Sequence, residues 1–169
     1  VTMQTYNFNL PILPSVIPQL SVGDKLLLSG ELITARDAAH RRIVNAFCNG
    51  IRLPFKLRDI ALFYCGPSPA APGKPCGAIG PTTSSRMDSY LPLLIEHGLR
   101  LSIGKGDRSP EAEKLIRESG SLYLVCVGGA AAYLSQHIVS CETFLWPDLG
   151  AEAVYRLVVK DFPAYVSIV

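Results

Sequence analysis

Three short segments set cations among glycines or hydroxyl side chains: Thr34-Ala35-Arg36-Asp37, Gly80-Pro81-Thr82-Thr83-Ser84-Ser85-Arg86 and Gly104-Lys105-Gly106. A guanidinium offers a planar fork that matches a carboxylate through two parallel hydrogen bonds, and a lysine flanked by glycines approaches as an unobstructed point charge. Together Arg36, Arg86 and Lys105 can hold a small carboxylate or phosphate. From spacing alone each segment also has a plainer reading: Thr82 to Ser85 as capping hydroxyls, Gly104-Lys105-Gly106 as a turn, and Arg36 as a surface residue paired with Asp37. Neither GxGxxG nor GxxxxGK[ST] occurs around these glycines, which disfavours a nucleotide loop. His40, His97 and His137 lack metal-ligand spacing, and Cys48, Cys65, Cys76, Cys126 and Cys141 form neither a disulfide framework nor a CxxC knuckle. The cysteines read as small buried apolar residues.

The elements that must position these side chains are legible from periodicity and punctuation. Residues 25–29 and 31–34 are strand-like, separated by Gly30, and predict a hairpin or one bent strand. Asp37 is a candidate N-cap for an amphipathic helix carrying Ala39, Ile43, Ala46 and Phe47 and stopping at Asn49-Gly50. An apolar strand over 60–64 empties into a loop over 65–75 that is too rich in proline and glycine for helix or central strand. Pro92 places the next helix start near Ser89, with residues 83–88 as a separate turn and Gly98 as its end. A strand over 99–103 leads into Gly104-Lys105-Gly106. Ser109-Pro110-Glu111 then opens a helix that ends at Gly120. Residues 122–127 read as a strand buried on both faces, Gly128-Gly129 leads into a short alanine-rich helix, and residues 154–159 form a last strand. Alternating strands and helices predict a single α/β domain over residues 1–169, with a mixed, partly parallel sheet flanked by helices and an irregular segment over residues 1–8. Right-handed crossovers place the loops after residues 65, 103 and 127 near strand ends, where anions bind in open α/β sheets.

Composition bounds the partners. The 169 residues suffice for one full core. Only 18% are charged against 49% hydrophobic, below the usual quarter or so of charged residues, as expected of a domain that buries part of its exterior against a partner. A net charge of +2 with dispersed cations does not make the basic stripe of a nucleic-acid binder. Neither a membrane-spanning run nor a signal peptide is present, so no membrane is expected and the chain reads as cytoplasmic.

Several strings resemble the C-terminal domain, or β subunit, of class I fumarases and L(+)-tartrate dehydratases. They are Thr34-Ala35-Arg36-Asp37-Ala38-Ala39-His40, Tyr64-Cys65-Gly66-Pro67, Gly80-Pro81-Thr82-Thr83-Ser84-Ser85-Arg86-Met87-Asp88, Gly104-Lys105-Gly106, Gly128-Gly129-Ala130-Ala131 and Asp161-Phe162-Pro163-Ala164, and the likeness runs from about residue 10 onward. The resemblance implies a swivelling β/β/α domain that closes over a [4Fe–4S] cluster carried by an α subunit, none being bound by this chain, in an assembly of α2β2 type. It implies reversible elimination of water from a 2-hydroxy dicarboxylate, L-malate to fumarate, with L-tartrate as the alternative substrate. A different class of protein, a non-catalytic small-carboxylate-binding module, would use the same loops. Carried over by position, Thr82 is the base and also contacts the substrate, and Arg36, Arg86 and Lys105 fix the dicarboxylate and stabilise the charge that builds on it as the proton departs, with Thr82, Arg86 and Lys105 counted as catalytic. The isolated chain is expected to be inactive.

Overall fold

Strand β2 (Lys25–Thr34) is the spine of the molecule. The computed structural model describes residues 2–127 and 131–169. Along one edge β2 pairs in parallel with β1 (Thr5–Asn9) and then β3 (Leu62–Phe63); along the other it runs antiparallel to β7 (Val154–Ile168). β3, β4 (Leu101–Gly104) and β5 (Leu122–Val125) continue in parallel, and β5 pairs antiparallel with β7. The pairings β2–β3–β4–β5–β7–β2 therefore close a ring, with β1 and β6 (Ile138–Leu145) appended outside it. This is the expected α/β domain with a mixed sheet.

The two-residue period of the strands sorts side chains into two cores. Phe63, Ile103 and Leu124 join Leu26, Leu28 and Phe162 in one cluster. Their sequence neighbours Leu62, Tyr64 and Tyr123 face the other, beneath α1 (Asp37–Cys48), α2 (Leu91–Glu96) and α3 (Pro110–Ser119). A short α4 (Ala131–Ser135) adds Leu134 to the first cluster. No helix of the described residues is long and apolar enough to cross a membrane.

Several expectations are refined or corrected. Residues 25–34 form one bent strand: opposite Ser29, β7 carries an extra residue, Asp161, whose φ of 51° makes the bulge and whose N–H reaches the Ser29 hydroxyl at 3.1 Å. β7 continues to Ile168, well beyond residue 159, because Asp161 is absorbed as that bulge. Pro163 falls where β7 has left β6 and not yet reached β5, so its missing N–H breaks no bond on that edge. Thr5–Asn9 form β1, not an irregular start, and β6 was not foreseen. Asp37 is not the N-cap but the first residue of α1. Arg36 occupies the cap with extended backbone and no side-chain cap bond, and the Asp37 carboxylate turns outward to Arg86. Ser109 caps α3 as expected, its Oγ accepting from Ala112 N–H at 3.1 Å, and Gly120 ends it at φ 73°. Gly128-Gly129 lies outside the described residues.

Phe162 has no exposed surface and meets Phe63 edge-on at a centroid distance of 5.5 Å. Phe162→Ala should destabilise the chain by about 3–5 kcal/mol, read as a lowered urea midpoint at unchanged slope.

Candidate functional site

The parallel strands β2 to β5 all end on the same side; two of the cation-bearing segments leave from the ends of β2 and β4, and the third, 80–86, returns to those ends after the loop that follows β3. Ala35 N–H donates to the Phe63 carbonyl at 3.0 Å, which carries the line of β2 up to Arg36. Beyond β3, Tyr64 N–H donates to Ile103 O at 2.8 Å and Tyr64 O accepts from Thr82 N–H at 2.6 Å. Thr83 then pairs as a parallel bridge with Lys105, and Ser84 N–H donates to Lys105 O at 3.0 Å. The segment 82–84 is thus stitched across the ends of β3 and β4. Beyond it, Ser84–Met87 make a turn of 3-10 helix that delivers Arg86 to Asp37, with Nε to Oδ1 at 3.3 Å and Nη2 to Oδ2 at 2.5 Å. Arg36 Nη2 lies 3.9 Å from the same Oδ2.

The structure therefore brings Arg36, Thr82, Arg86 and Lys105 onto one surface. It is an open surface: Lys105 is exposed, the Arg86 side chain is 49% exposed, and Thr82 is half-buried. Arg36 is more enclosed. A Cβ on Gly66 would come within 2.8 Å of the Arg36 Cδ and of the Ala151 carbonyl, so only glycine lets the 65–75 loop lie this close. Arg36 Nε is buried with no hydrogen-bond partner among the described residues. Beside it lies a cleft of about 380 Å³ lined by Pro67, Ser68, Cys76, Cys141 and Tyr155.

Beneath this surface is a buried polar network that the residue types did not announce. The Arg108 guanidinium is sandwiched between the Tyr64 and Tyr123 rings, 5.1 and 4.9 Å from their centroids, and its Nε donates to Asp88 Oδ1 at 2.6 Å. Burial opposes its charge, yet Tyr64 and Asp88 hold its pKa above the ordinary arginine value. The Tyr123 hydroxyl is 2.7 Å from both Ser84 Oγ and Gly106 O; its single proton goes to the carbonyl, and Ser84 donates to it. Burial pushes the Tyr123 pKa up to about 12, so it stays a donor. Gly104 is required here: a Cβ would fall 2.0 Å from Ser84 Oγ. Sequence reasoning gave no role to Arg108, Asp88, Tyr64 or Tyr123, and the available signal was the placement of tyrosines in otherwise apolar strand runs.

His40 braces Arg36 from below. Its Nδ1 is 2.8 Å from the Arg36 carbonyl, which can only accept, so Nδ1 carries the proton and Nε2 is bare and buried. Burial, helped by Arg108, lowers its pKa to about 4 against the opposing pull of the Arg36 hydrogen bond and Asp37.

A mixed sheet closed into a ring, with cations gathered at its strand ends, defines the class as an α/β domain with an open cationic surface. Comparison with known proteins makes this specific: residues 2–169 match the Fumarase C-terminus family, and the chain belongs to it. It is 37% identical over 154 residues to the anaerobic class I fumarate hydratase of Escherichia coli, covering 90% of this chain but 28% of that protein. To mitochondrial fumarate hydratase 1 of Leishmania major it is 38% identical over 167 residues, 96% of this chain and 30% of that one. To the E. coli L(+)-tartrate dehydratase subunit beta it is 32% identical over 163 residues, 94% and 80% respectively. The chain thus spans under a third of these fumarate hydratases and most of the tartrate dehydratase subunit.

Because His40 titrates near 4 when folded and near 6.5 when unfolded, the unfolded chain binds the extra proton between those values. Stability should fall as pH drops from 6.5 toward 4, by up to about 3 kcal/mol in all, and His40→Gln should remove that part of the slope in urea titrations at stepped pH.

Proposed function

We propose that the chain is the β subunit of an iron–sulfur-dependent hydro-lyase, reversibly eliminating water from a 2-hydroxy dicarboxylate, with L-malate to fumarate as the preferred reaction. It works at an interface with a separate α subunit. The observation that carries this reading is the meeting of Arg36, Thr82, Arg86 and Lys105 on one open surface, in a chain related throughout to fumarate hydratases and tartrate dehydratase β subunits.

The chain's own thiols do not suit an iron–sulfur cluster. Burial raises the pKa of Cys65 far above the ordinary thiol value and those of Cys126 and Cys141 to about 12 and 11, and among the described residues no three His, Cys, Asp or Glu converge as metal ligands. The [4Fe–4S] cluster of this proposal is the α subunit's, and the chemistry below belongs to this chain. Removal of a weakly acidic carbon-bound proton builds negative charge on the adjacent carboxylate, and Arg36, Arg86 and Lys105 hold and offset that charge. Thr82 stands at the base position. A threonine hydroxyl is a weak base at neutral pH, so the proposal requires a proton acceptor beyond Thr82.

A second substrate, L-tartrate, is favoured by the 80% coverage of the E. coli tartrate dehydratase subunit. Tartrate differs from malate by one hydroxyl, and in this proposal the 66–76 loop, which meets Arg36 at Gly66, and the α subunit's residues decide between the two.

The deciding experiment is an anaerobic assay of malate-to-fumarate and tartrate-to-oxaloacetate conversion, on the chain alone and after co-expression with the cluster-bearing subunit. Turnover in the pair alone is the expected result and names the substrate. An assembled, cluster-loaded pair that converts neither, while the chain binds dicarboxylates tightly by itself, would replace this reading with a non-catalytic carboxylate-binding module. In the active pair, Thr82→Ala should lower kcat by about 10²–10⁴-fold. Arg86→Leu should lower kcat/KM by about 10–100-fold, the worth of a charge-assisted hydrogen bond of about 1.5–3 kcal/mol.

A further inference from the structure

Arg86 does not meet Asp37 with the end of its guanidinium. It uses its side edge: Nε donates to Oδ1 at 3.3 Å and Nη2 to Oδ2 at 2.5 Å. Of the five N–H donors of an arginine, that engagement occupies two and leaves three, of which one on Nη1 and one on Nη2 form the parallel fork at the far end. Asp37 is the first residue of α1, so its backbone is fixed by the helix, and the N-terminal Ala38 N–H is turned to Glu152 Oε1 at 3.3 Å. The same Asp37 carboxylate lies 3.9 Å from Arg36 Nη2, placing it between two guanidiniums that would otherwise repel. Asp37 and Glu152, whose carboxylates both lie at the start of α1, offset part of the positive charge of Arg36, Arg86 and Lys105.

We infer that Asp37 is a positioning residue: it holds Arg86 by the side edge so that the end-on fork faces a substrate carboxylate. This inference rests on the hydro-lyase reading for the identity of the substrate, though not for the Arg86–Asp37 geometry. It assigns Asp37 no contact with the reacting atoms, and it separates orientation from the attraction that Arg36 and Lys105 supply.

A structural role in starting α1 would produce a similar single-variant loss, so the test is a cycle. In the assembled pair, kcat and KM for L-malate are measured for the native chain, Asp37→Asn, Arg86→Leu and the double variant. Asp37→Asn should lower kcat/KM about tenfold or more when Arg86 is present and less than about twofold in the Arg86→Leu background, the non-additivity expected when one residue acts through another. An equal factor in both backgrounds would overturn the inference, since a helix-start defect is indifferent to Arg86. A second readout does not depend on turnover: the Nε–H resonance of Arg86 in a 15N-labelled chain. It should be shifted and exchange-protected in the native chain, return to the free-arginine position in Asp37→Asn, and stay shifted as L-malate is titrated in. Loss of the shift on binding malate would show that substrate displaces Asp37, and the residue would then be a competitor, not a positioner. If the loaded pair converts neither malate nor tartrate, the hydro-lyase reading fails on that result, while the resonance still decides the Arg86–Asp37 pairing.

Discussion

A charged guanidinium with no solvent exposure is costly unless it is paired, and in this fold the groups that engage Arg108 through Nε and Nη1, its Nη2 having no partner among the described residues, are what join the pieces of the site. Asp88 takes its Nε and also accepts Ser109 N–H at 2.8 Å, so one carboxylate ties the hydroxyl-rich turn to the start of α3. Tyr64 and Tyr123 close over the two faces of the guanidinium, and Nη1 donates to the Tyr64 hydroxyl at 3.1 Å. Tyr123 in turn links Ser84 to Gly106. The segments that present Thr82, Arg86 and Lys105 are therefore fastened, through Tyr64, Tyr123 and Asp88, to the same buried cation, while Arg36 is held from β3 and by His40. Such a network leaves little independent freedom, because removing any member strands a buried charge or polar group.

The ring of strands explains why these segments converge at all. Parallel β2, β3, β4 and β5 force each connecting helix or loop to return to the far end before the next strand begins, so residues following each strand emerge on one side. Antiparallel β7 then closes the ring against both β2 and β5, which a strand of ordinary length could not do. The Asp161 bulge and Pro163 are the devices that bend it between its two sets of partners.

What the amino-acid sequence disclosed follows from whether local chemistry or ring closure decides the outcome. α3 was legible end to end, since Ser109, Pro110 and Gly120 act on their own neighbours. The apolar runs of β4 and β5 were legible because burial on both faces imposes them. β1 and β6 were not: both are appended to the ring, β1 alternates over only five residues and buries none of them fully, and β6 shows no regular alternation. The far half of β7 was hidden because aspartate and proline ordinarily end strands, and only pairing to β2 overrides them. At the site, Arg36, Arg86 and Lys105 were picked out by residue type and setting and Thr82 by resemblance, and the fold sets their segments side by side at the strand ends. The partner of Arg86 and the buried network beneath were invisible, because Asp37 and Arg86 are 49 residues apart and nothing in either segment specifies the other.

The openness of the surface bears on how the proposed enzyme divides its labour. A cation in water attracts a carboxylate weakly, since the dielectric of the solvent screens the pair, whereas the same contact in a water-excluded cleft is several times stronger. Arg86 and Lys105 stand largely in solvent, and an ion pair as exposed as Arg86–Asp37 contributes orientation more than energy. The chain thus holds its gripping groups in place at little electrostatic strain while leaving most of their strength unexpressed. In the hydro-lyase proposed here, that strength appears only when an α subunit covers the strand ends and expels water. Substrate binding, charge stabilisation and assembly then draw on one event, and a lone chain that keeps every side chain in position should remain catalytically silent.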